Sequence, residues 1–283
     1  MTTSPTVWRR WLAQELLRLR LTAGLDRTRV AKAIRCTPQK IGHIETATVP
    51  PKVIDLEEIF LPMYGVPEER WPFYVQAARD ARKKGWWESH SAALPDWFSL
   101  YIGLEQGATQ LQKWDPQLVH GLLQTRAYMT ALLGVGGDLP AEELERRVEL
   151  RLARQSILEG PDPLRLVLVL AEDALHTNIG GPEVMREQLE HLVKMARKRR
   201  ITVQVLPRGL GAHAGFQGPF TILDFATEDD PGVVYLEHRA GAVYLEHSAE
   251  VKTHRIALED LRGMALSPTA SIELITRTAE GIP

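Results

Sequence analysis

The sequence predicts an α+β fold, in which an all-α N-terminal domain precedes a mixed α/β domain with a small sheet. Residues 1–84 contain five short segments of helical periodicity. From Gly85 onward, apolar β-branched runs alternate with longer helical segments. We therefore expect two domains, over residues 1–84 and 85–283. The length of 283 residues agrees with this division, because one domain usually holds about 100–200 residues.

The first predicted helix covers residues 8–23, where apolar side chains recur at spacings of three and four. These side chains are Trp8, Trp11, Leu12, Leu16 and Leu19. Such spacing places them on one helical face. We expect most of the interspersed arginines to point elsewhere, namely Arg9, Arg10, Arg18 and Arg20. Gly24 follows where a helix C-terminus favours a left-handed backbone.

Two short helices are predicted next, over residues 27–34 and 38–46. Asp26 can cap the first of them and Thr37 the second, and Pro38 suits a first helical position. The expected inner faces hold Val30, Ala31, Ile34, Ile41 and Ile44, and the expected outer face of the second helix holds Gln39, Lys40 and His43. Further helices over 52–61 and 67–84 complete the all-α domain.

The second domain is predicted to mix helices and strands. Helices are expected near 96–110, 124–134, 140–159, 182–199, 249–264 and 267–279. Strands are expected over 164–171, 201–206 and 220–225, followed by a hairpin of 233–237 with 242–246 that has Gly241 in its turn.

The net charge of −2 conceals a basic N-terminal part and an acidic remainder. Residues 1–85 hold fifteen Lys/Arg and nine Asp/Glu, whereas the remainder holds nineteen and twenty-seven. A basic domain of this kind favours a polyanionic partner.

The sequence has no apolar run of the roughly 20 residues that a membrane span needs, and no secretory layout at its start. We therefore expect a cytoplasmic protein. Cys36 is the single cysteine, so no internal disulfide or structural zinc site is expected.

The segment LDRTRVAKAIRCTPQKIGHIET, residues 25–46, has the spacing of a helix-turn-helix. Ala31 is small enough for close packing of the second helix, and Ile41 and Ile44 can hold that helix in place. Such a pair presents the N-terminal residues of its second helix to the DNA major groove. The alternative is a solvated helical hairpin inside a larger helical domain.

The side chains of this segment suit DNA. Gln39 can make two hydrogen bonds to adenine, and Lys40 can reach guanine or a phosphate. His43 lies one turn further along and can touch a base or the backbone. Thr37 and the free N–H groups of its helix can hold a phosphate, as can Arg27.

The segment around this motif resembles the Xre/Cro-type helix-turn-helix family. The matching residues are Gly24-Leu25, Val30-Ala31, Thr37, Ile41 and Ile44-Glu45. Arg27 replaces the usual Gln, Arg35 the usual turn Gly, Gly42 the usual Ser and Ala47 the usual Gly. Arg35 indicates either a slightly altered turn geometry or a left-handed backbone with strain of about 1 kcal/mol.

The resemblance continues through the chain. The segments GWWE, WDPQLVHGLLQT, RLARQ, GGPEVMREQLEHL, ITVQVLP, GAHAGFQGPFTILDF and VVYLE are similar, in order, to landmarks of a large actinobacterial regulator family. In that family an Xre-type head precedes a C-terminal domain of unknown function. The resemblance implies transcriptional control, often of differentiation or secondary metabolism. It also implies a small partner protein that is frequently encoded nearby.

Two features of the second domain suggest a ligand site. The glycine-rich loop Gly209–Gly218 lets backbone approach a ligand; His213 can point into a pocket and Phe216 can stack on a ring. The loop lacks a phosphate-binding motif, and a purely structural role is the alternative. Four aromatic residues, Trp86, Trp87, Trp97 and Trp114, can line a small-molecule pocket or form the core where two domains meet.

We find no catalytic set, so neither a reaction nor a cofactor is expected. Glu172, Asp173 and His176 could ligate a metal, but an exposed helix turn is the preferred explanation for them. The repeated pairs Glu237-His238 and Glu246-His247 could meet across the hairpin, or they could be ordinary charged edges. No metal is therefore expected either.

We expect a transcriptional regulator that binds double-stranded DNA as a homodimer, with half-sites about 34 Å apart. It would be nucleoid-associated when bound and would have no contact with membranes. The second domain would dimerise and receive a small-molecule effector or the nearby partner protein. Two alternatives stay open. One is an antitoxin-like interaction module that autoregulates its operon, and the other is an enzyme with a regulatory head.

Overall fold

The computed structural model describes residues 4–88, 95–135, 139–226 and 230–283. It divides into two compact units, Met1–Glu88 and Ser89–Pro283. The first unit is helical in its described part, and the second combines helices with a six-stranded mixed sheet. The predicted α+β fold is thereby confirmed.

The first unit begins with three helices, α1 (Pro5–Thr22), α2 (Arg27–Ala33) and α3 (Pro38–Glu45). A continuous helical stretch follows, formed by α4 (Val53–Asp55), a π-helical turn (Leu56–Phe60) and α5 (Leu61–Met63). A 3₁₀ turn (Glu68–Arg70) leads into α6 (Trp71–Asp80). The core is a buried apolar cluster of Leu12, Leu16, Val30, Ala31, Ile41, Ile44, Leu56, Phe60, Leu61, Tyr64, Val66, Tyr74 and Ala78.

The predicted helix boundaries around the motif agree with the capping contacts. Asp26 Oδ1 accepts a hydrogen bond from the Arg29 backbone N–H at 2.7 Å. Thr37 Oγ1 accepts one from the Lys40 backbone N–H at 3.3 Å, and Pro38 is the first helical residue. Gly24 has a left-handed backbone with φ of +66°. These local signals therefore fix where α1 ends and where α2 and α3 begin.

The expectation that the arginines of α1 point away from the core is wrong for two of them. Arg10 and Arg20 are buried, at 5% and 6% exposure. The cause is that α1 packs against both α3 and α6, so more than one of its faces is covered. The apolar periodicity of α1 predicts only one buried face, so it does not predict the second, polar face on which Arg10 and Arg20 are buried.

The second unit is built on one sheet with the strand order β3-β2-β1-β4-β5-β6. The strands are β1 (Gln110–Asp115), β2 (Arg165–Ala171), β3 (Ile201–Leu206), β4 (Phe220–Asp224), β5 (Val233–His238) and β6 (Gly241–Leu245). The first three strands run parallel to one another, and β4 to β6 extend the sheet in antiparallel pairs. The predicted hairpin is β5–β6, with Gly241 paired to His238 at its end.

Strand β1 is absent from the sequence prediction, which extends a helix to residue 110. That helix, α7, ends at Gly107, and β1 takes the centre of the sheet between β2 and β4. Its sequence QLQKWD is too polar to resemble a central strand. The polar groups are satisfied by partners distant in sequence, since the Gln112 amide donates to Asp224 Oδ2 at 3.1 Å.

The remaining helices flank this sheet. They are α7 (Asp96–Gly107), α8 (Arg126–Leu133), α9 (Ala141–Arg154), α10 (Asp173–His176), α11 (Pro182–Ala196), α12 (Ser248–Met264) and α13 (Pro268–Glu280). Helix α12 packs on β3, β4 and β5, while α11 and α13 pack on each other and on β3. Within the described ranges, no helix combines the length and the apolar character needed to cross a membrane.

Candidate nucleic-acid interface

Helices α2 and α3 pack on each other through buried apolar side chains. Val30 and Ala31 of α2 are at most 1% exposed, and Ile41 and Ile44 of α3 are at most 2% exposed. The turn between the helices is closed by a hydrogen bond from the Cys36 N–H to the Ala31 carbonyl at 2.9 Å. This arrangement leaves the opposite side of α3 available to a partner.

Two residues around α3 hold a left-handed backbone although they are not glycines. Arg35 has φ of +53° and Ala47 has φ of +59°, and no other described non-glycine residue has a positive φ. They are the two positions where the Xre-type pattern has glycine. The strain anticipated for Arg35 is therefore present, and Ala47 carries the same kind of strain after α3. Each left-handed residue of this kind costs about 1 kcal/mol or more.

The outer face of α3 carries the polar side chains that the sequence assigns to DNA. Thr37, Gln39 and His43 are exposed, and Lys40 is half-buried. Gln39 and His43 are four residues apart and therefore share one helical face. The structure thus brings four of the five predicted DNA-binding residues onto one short helix and its cap.

The fifth predicted residue, Arg27, lies at the start of α2 and reaches across to the end of α3. Its Nε donates to Glu45 Oε2 at 2.8 Å, and its side chain is 47% exposed. Gly42 lies beside it, since a Cβ added at Gly42 would be in ordinary van der Waals contact with Arg27 Nη1 at 3.5 Å. A guanidinium has five N–H donors, so Arg27 keeps donors for a phosphate beside its bond to Glu45.

Glu45 is the centre of a buried ion-pair network that the sequence analysis missed. The Glu45 side chain is 2% exposed and accepts hydrogen bonds from Arg20 Nε and from Arg20 Nη2, the latter at 3.1 Å. The third guanidinium nitrogen, Arg20 Nη1, donates to the Leu25 carbonyl at 2.7 Å. The network ties α1 to α3 and to the loop before α2. The only sequence signal was the match of Glu45 to the Xre-type pattern.

The surface around the helix pair is positively charged. Arg29, Lys32 and Arg35 are exposed. In the part of the chain that the structure describes, none of the three forms an ion pair. Unpaired exposed cations beside a helix N-terminus are the groups that bind phosphates along a nucleic-acid backbone.

In the second unit, the structure brings together the three residues predicted to bind a ligand. The His213 ring stacks on Phe216 with centroids 4.4 Å apart, and the Trp114 ring meets His213 edge-on at 5.5 Å. Trp114 is 1% exposed and donates from Nε1 to the Gly215 carbonyl at 3.1 Å. Trp114 therefore holds the glycine-rich loop from the buried side. Phe216, at the surface of the same loop, is 71% exposed.

A cavity of about 280 Å³ borders this loop, and its lining includes His213, Phe216 and Arg208. Its two carboxylates are already engaged, because Glu172 Oε2 accepts from the Arg208 N–H at 2.9 Å and Asp173 Oδ1 accepts from Arg208 Nε at 2.6 Å. Across the described residues, no cluster of His, Cys, Asp and Glu could hold a metal ion. Trp114 does not line this cavity.

One possibility that the sequence left open for the second unit does not occur. The Glu-His repeats do not meet across the hairpin, because an antiparallel register pairs Tyr235 with Tyr244 and Glu237 with Ala242. The two tryptophans of this unit, Trp97 and Trp114, lie in different places. Trp97 lines a different cavity from the one at the glycine-rich loop, and Trp114 lies in the core over the sheet.

Two family models match the chain. One, described as a helix-turn-helix domain, matches residues 11–71. The other, described as a domain of unknown function (DUF5753), matches residues 98–277. No curated protein and no solved structure matches the sequence. Each family match falls within one of the two compact units.

Proposed function

The chain belongs to the family of the domain of unknown function DUF5753, and from this premise we propose that it is a sequence-specific DNA-binding transcriptional regulator controlled through that domain. The helix-turn-helix match over residues 11–71 points to a DNA-binding regulator. The observation that carries the proposal is the α2–α3 pair, whose inner faces are buried while Gln39 and His43 stay exposed.

In this proposal α3 lies in the major groove. Gln39 makes paired hydrogen bonds to adenine, and Lys40 and His43 contact a base edge or the backbone. Thr37, with the first N–H groups of α3, and Arg27 hold phosphates and fix the position of α3 on the duplex. Arg29 is exposed and adds to the electrostatic attraction.

We propose an Xre-type head that acts as a homodimer. Support for the type comes from the Thr37 cap, the buried Ile41 and Ile44, and Glu45 within its ion-pair network. A homodimer would place one α3 in each of two successive major grooves, about 34 Å apart. A palindromic operator would follow from that symmetry.

We propose that the second domain transmits a signal from a small ligand or from a partner protein. A ligand can change DNA binding only if it binds the DNA-competent and incompetent states with different affinity. The two cavities described for this unit support a ligand, because small-molecule sites are concave and lined by aromatic side chains with a few polar groups. A stable, co-purifying small protein would favour the partner instead.

The decisive experiment measures binding of the full chain to its own upstream DNA and to random DNA of equal length over a salt series. We expect tight, salt-dependent binding that prefers the upstream DNA by roughly 10³-fold or more. Weak binding of equal strength to both DNAs would contradict a specific regulator of its own promoter. It would move the interaction-module alternative ahead.

A further inference from the structure

A second cavity in the C-terminal unit combines aromatic rings with arginines. Its volume is about 190 Å³. Trp97 and Phe98 of α7 line one side, and Leu150 and Arg151 of α9 line another. Glu237, near the end of β5, also borders it and is exposed. This cavity is separate from the one at the glycine-rich loop.

Arg154 forms a fixed, charge-balanced wall of the cavity. It is 3% exposed and binds Glu105 in a two-pronged ion pair, with Nε to Oε2 at 2.7 Å and Nη2 to Oε1 at 2.8 Å. Its guanidinium also lies over the Phe98 ring, 5.1 Å from the centroid. Because Glu105 compensates its charge, Arg154 leaves little positive charge for a ligand. Its contact with Phe98 holds that ring in place.

Arg151 differs from Arg154 although it lies one turn away on the same helix. Its Nη1 donates to the neutral Gln124 amide oxygen at 2.9 Å. Among the described residues, no carboxylate forms an ion pair with it. Burial lowers the pKa of Arg151 to about 10, with a smaller contribution from the nearby Arg154 charge. Arg151 is half-buried, and Glu237 and Glu105 attract it without forming an ion pair. A cation in this position gains from a partner that supplies negative charge directly.

The other charges at the cavity do not remove this imbalance. Arg147 is bound to Glu143, whose Oε1 accepts from Arg147 Nε at 2.8 Å. Glu237 is the remaining carboxylate on the lining, and it is exposed to solvent. Solvent screens its attraction for Arg151, and its negative charge disfavours a ligand that carries more than one carboxylate.

We propose that this cavity binds a one-ring aromatic carboxylate, whose carboxylate pairs with Arg151 and whose ring packs against Trp97 and Phe98. A guanidinium binds a carboxylate through two parallel hydrogen bonds, and Arg151 has donors beyond the one used by Gln124. The size agrees, since a cavity of about 150 Å³ accepts benzene. The function of this site as an effector site rests on the proposed regulatory function, but the binding itself does not.

The test is isothermal titration calorimetry of the full chain without DNA. The probes are benzoate, phenylacetate and anthranilate, compared with the neutral benzamide and the cationic benzylamine. We expect at least one carboxylate to bind roughly tenfold or more tightly than benzamide, because the ion pair with Arg151 is worth at least that factor. Benzylamine should bind more weakly still.

Two variants and a control assign any binding to this cavity. Arg151→Gln should weaken carboxylate binding roughly tenfold or more and should bring it close to that of benzamide. Trp97→Leu keeps an apolar wall but removes the stacking ring, so it should weaken all ring-containing probes. Arg146→Gln is the matched control, because Arg146 lies on the same helix but is 56% exposed and pairs with Glu143. It should leave binding unchanged.

The outcomes are distinguishable from those of the regulator test. Absence of binding by all three carboxylates up to about 10 mM overturns the site, even if specific DNA binding is intact. Equal affinity for benzamide, or binding unchanged in both cavity variants, overturns it as well. Trp97→Leu decides the matter if Arg151→Gln does not fold. Binding at the cavity with no DNA preference would instead contradict only the regulatory function.

Discussion

Arg27 and Gly42 are neighbours across the α2–α3 pair, and a Cβ at Gly42 would come within 3.5 Å of Arg27 Nη1. Both residues depart from the Xre-type pattern, which has Gln and Ser at these positions. Arg27 lies along this side of α3 and reaches Glu45 through its Nε, and a Cβ at Gly42 would make only an ordinary van der Waals contact with it. The two departures from the pattern therefore lie next to each other in the structure.

Removal of Arg27 should weaken DNA binding without loss of fold. In Arg27→Ala the dissociation constants for upstream and random DNA should both rise, and the salt slope should fall by about one. Stability should change by at most about 1 kcal/mol, because the Arg27 side chain is 47% exposed and Glu45 keeps Arg20. Salt-series titrations and urea unfolding measure the two effects, with Arg18→Ala as control at an exposed arginine of α1. A loss confined to upstream DNA would contradict a phosphate contact.

Gln39 should contribute specificity instead. Gln39→Ala removes the paired hydrogen bonds to adenine, so specific binding should weaken by about 1–3 kcal/mol while binding to random DNA stays nearly unchanged. Competition titrations with both DNAs measure the difference. Gln76→Ala changes an exposed glutamine on α6 and should leave both affinities as they are. If both affinities fell together in Gln39→Ala, Gln39 would not lie on a base edge.

Glu45 should be essential for stability. In Glu45→Ala the buried Arg20 loses its counter-ion, which typically costs about 3–5 kcal/mol. Urea unfolding monitored by circular dichroism should show this loss in the full chain. Glu57→Ala, at an exposed glutamate, should change stability by no more than about 0.5 kcal/mol. A similarly small change in Glu45→Ala would show that the network contributes little.

The sequence separation of two interacting residues decides whether a local pattern predicts their contact. Asp26 and Thr37 cap helices through the N–H three residues later, so a local pattern predicts them. Arg20 and Glu45 are separated by 25 residues, and Gln112 and Asp224 by 112, so no local pattern reports either contact. Burial of these polar groups is stable only because of such distant partners. For that reason the network at Glu45 and the strand β1 were both missed.

The cavity at Arg151 shows the same limit. The sequence places Trp97 among aromatic residues but gives no reason to join it to an arginine on α9. In contrast, His213 and Phe216 are close in sequence and do form one stacked cluster. The Glu-His pairs of the hairpin stay apart for a geometrical reason. Two near-identical segments that run antiparallel can match only at their centres, here Tyr235 with Tyr244.

The left-handed backbone at Ala47 offers a route to higher stability. Ala47→Gly should stabilise the protein by about 0.5–1 kcal/mol. The free energy gained by relieving the left-handed strain should exceed the entropic cost of a more flexible unfolded chain. Ala33→Gly is the matched control at the last residue of α2, where it should cost about 0.5–1 kcal/mol. Thermal unfolding of both variants tests the pair. Destabilisation by Ala47→Gly would indicate that no strain is relieved at this position.

The buried His120 should make the second unit sensitive to acid. His120 is 4% exposed; its Nδ1 accepts from the Leu122 N–H, and its Nε2 lies 3.3 Å from the Tyr101 hydroxyl. Burial lowers the pKa of His120 well below its usual value, and the charges of Lys113, Arg154 and Arg151 lower it further. The folded protein therefore holds a neutral imidazole at a pH where the unfolded chain already binds a proton.

The sign of the pH dependence follows from this difference. Stability from the neutral His120 is complete above the unfolded pKa of about 6.5, and it falls as the pH drops toward the lower folded pKa. The loss should be on the order of 1 kcal/mol per pH unit.

His120→Asn keeps an acceptor for the Leu122 N–H but cannot titrate, so its stability should fall less steeply between about pH 6.5 and 5. Tyr101→Phe removes the hydroxyl but keeps the imidazole, so it should retain the wild-type slope. Urea unfolding of the three proteins at several pH values compares the slopes, and equal slopes in wild type and His120→Asn would exclude His120 as the cause.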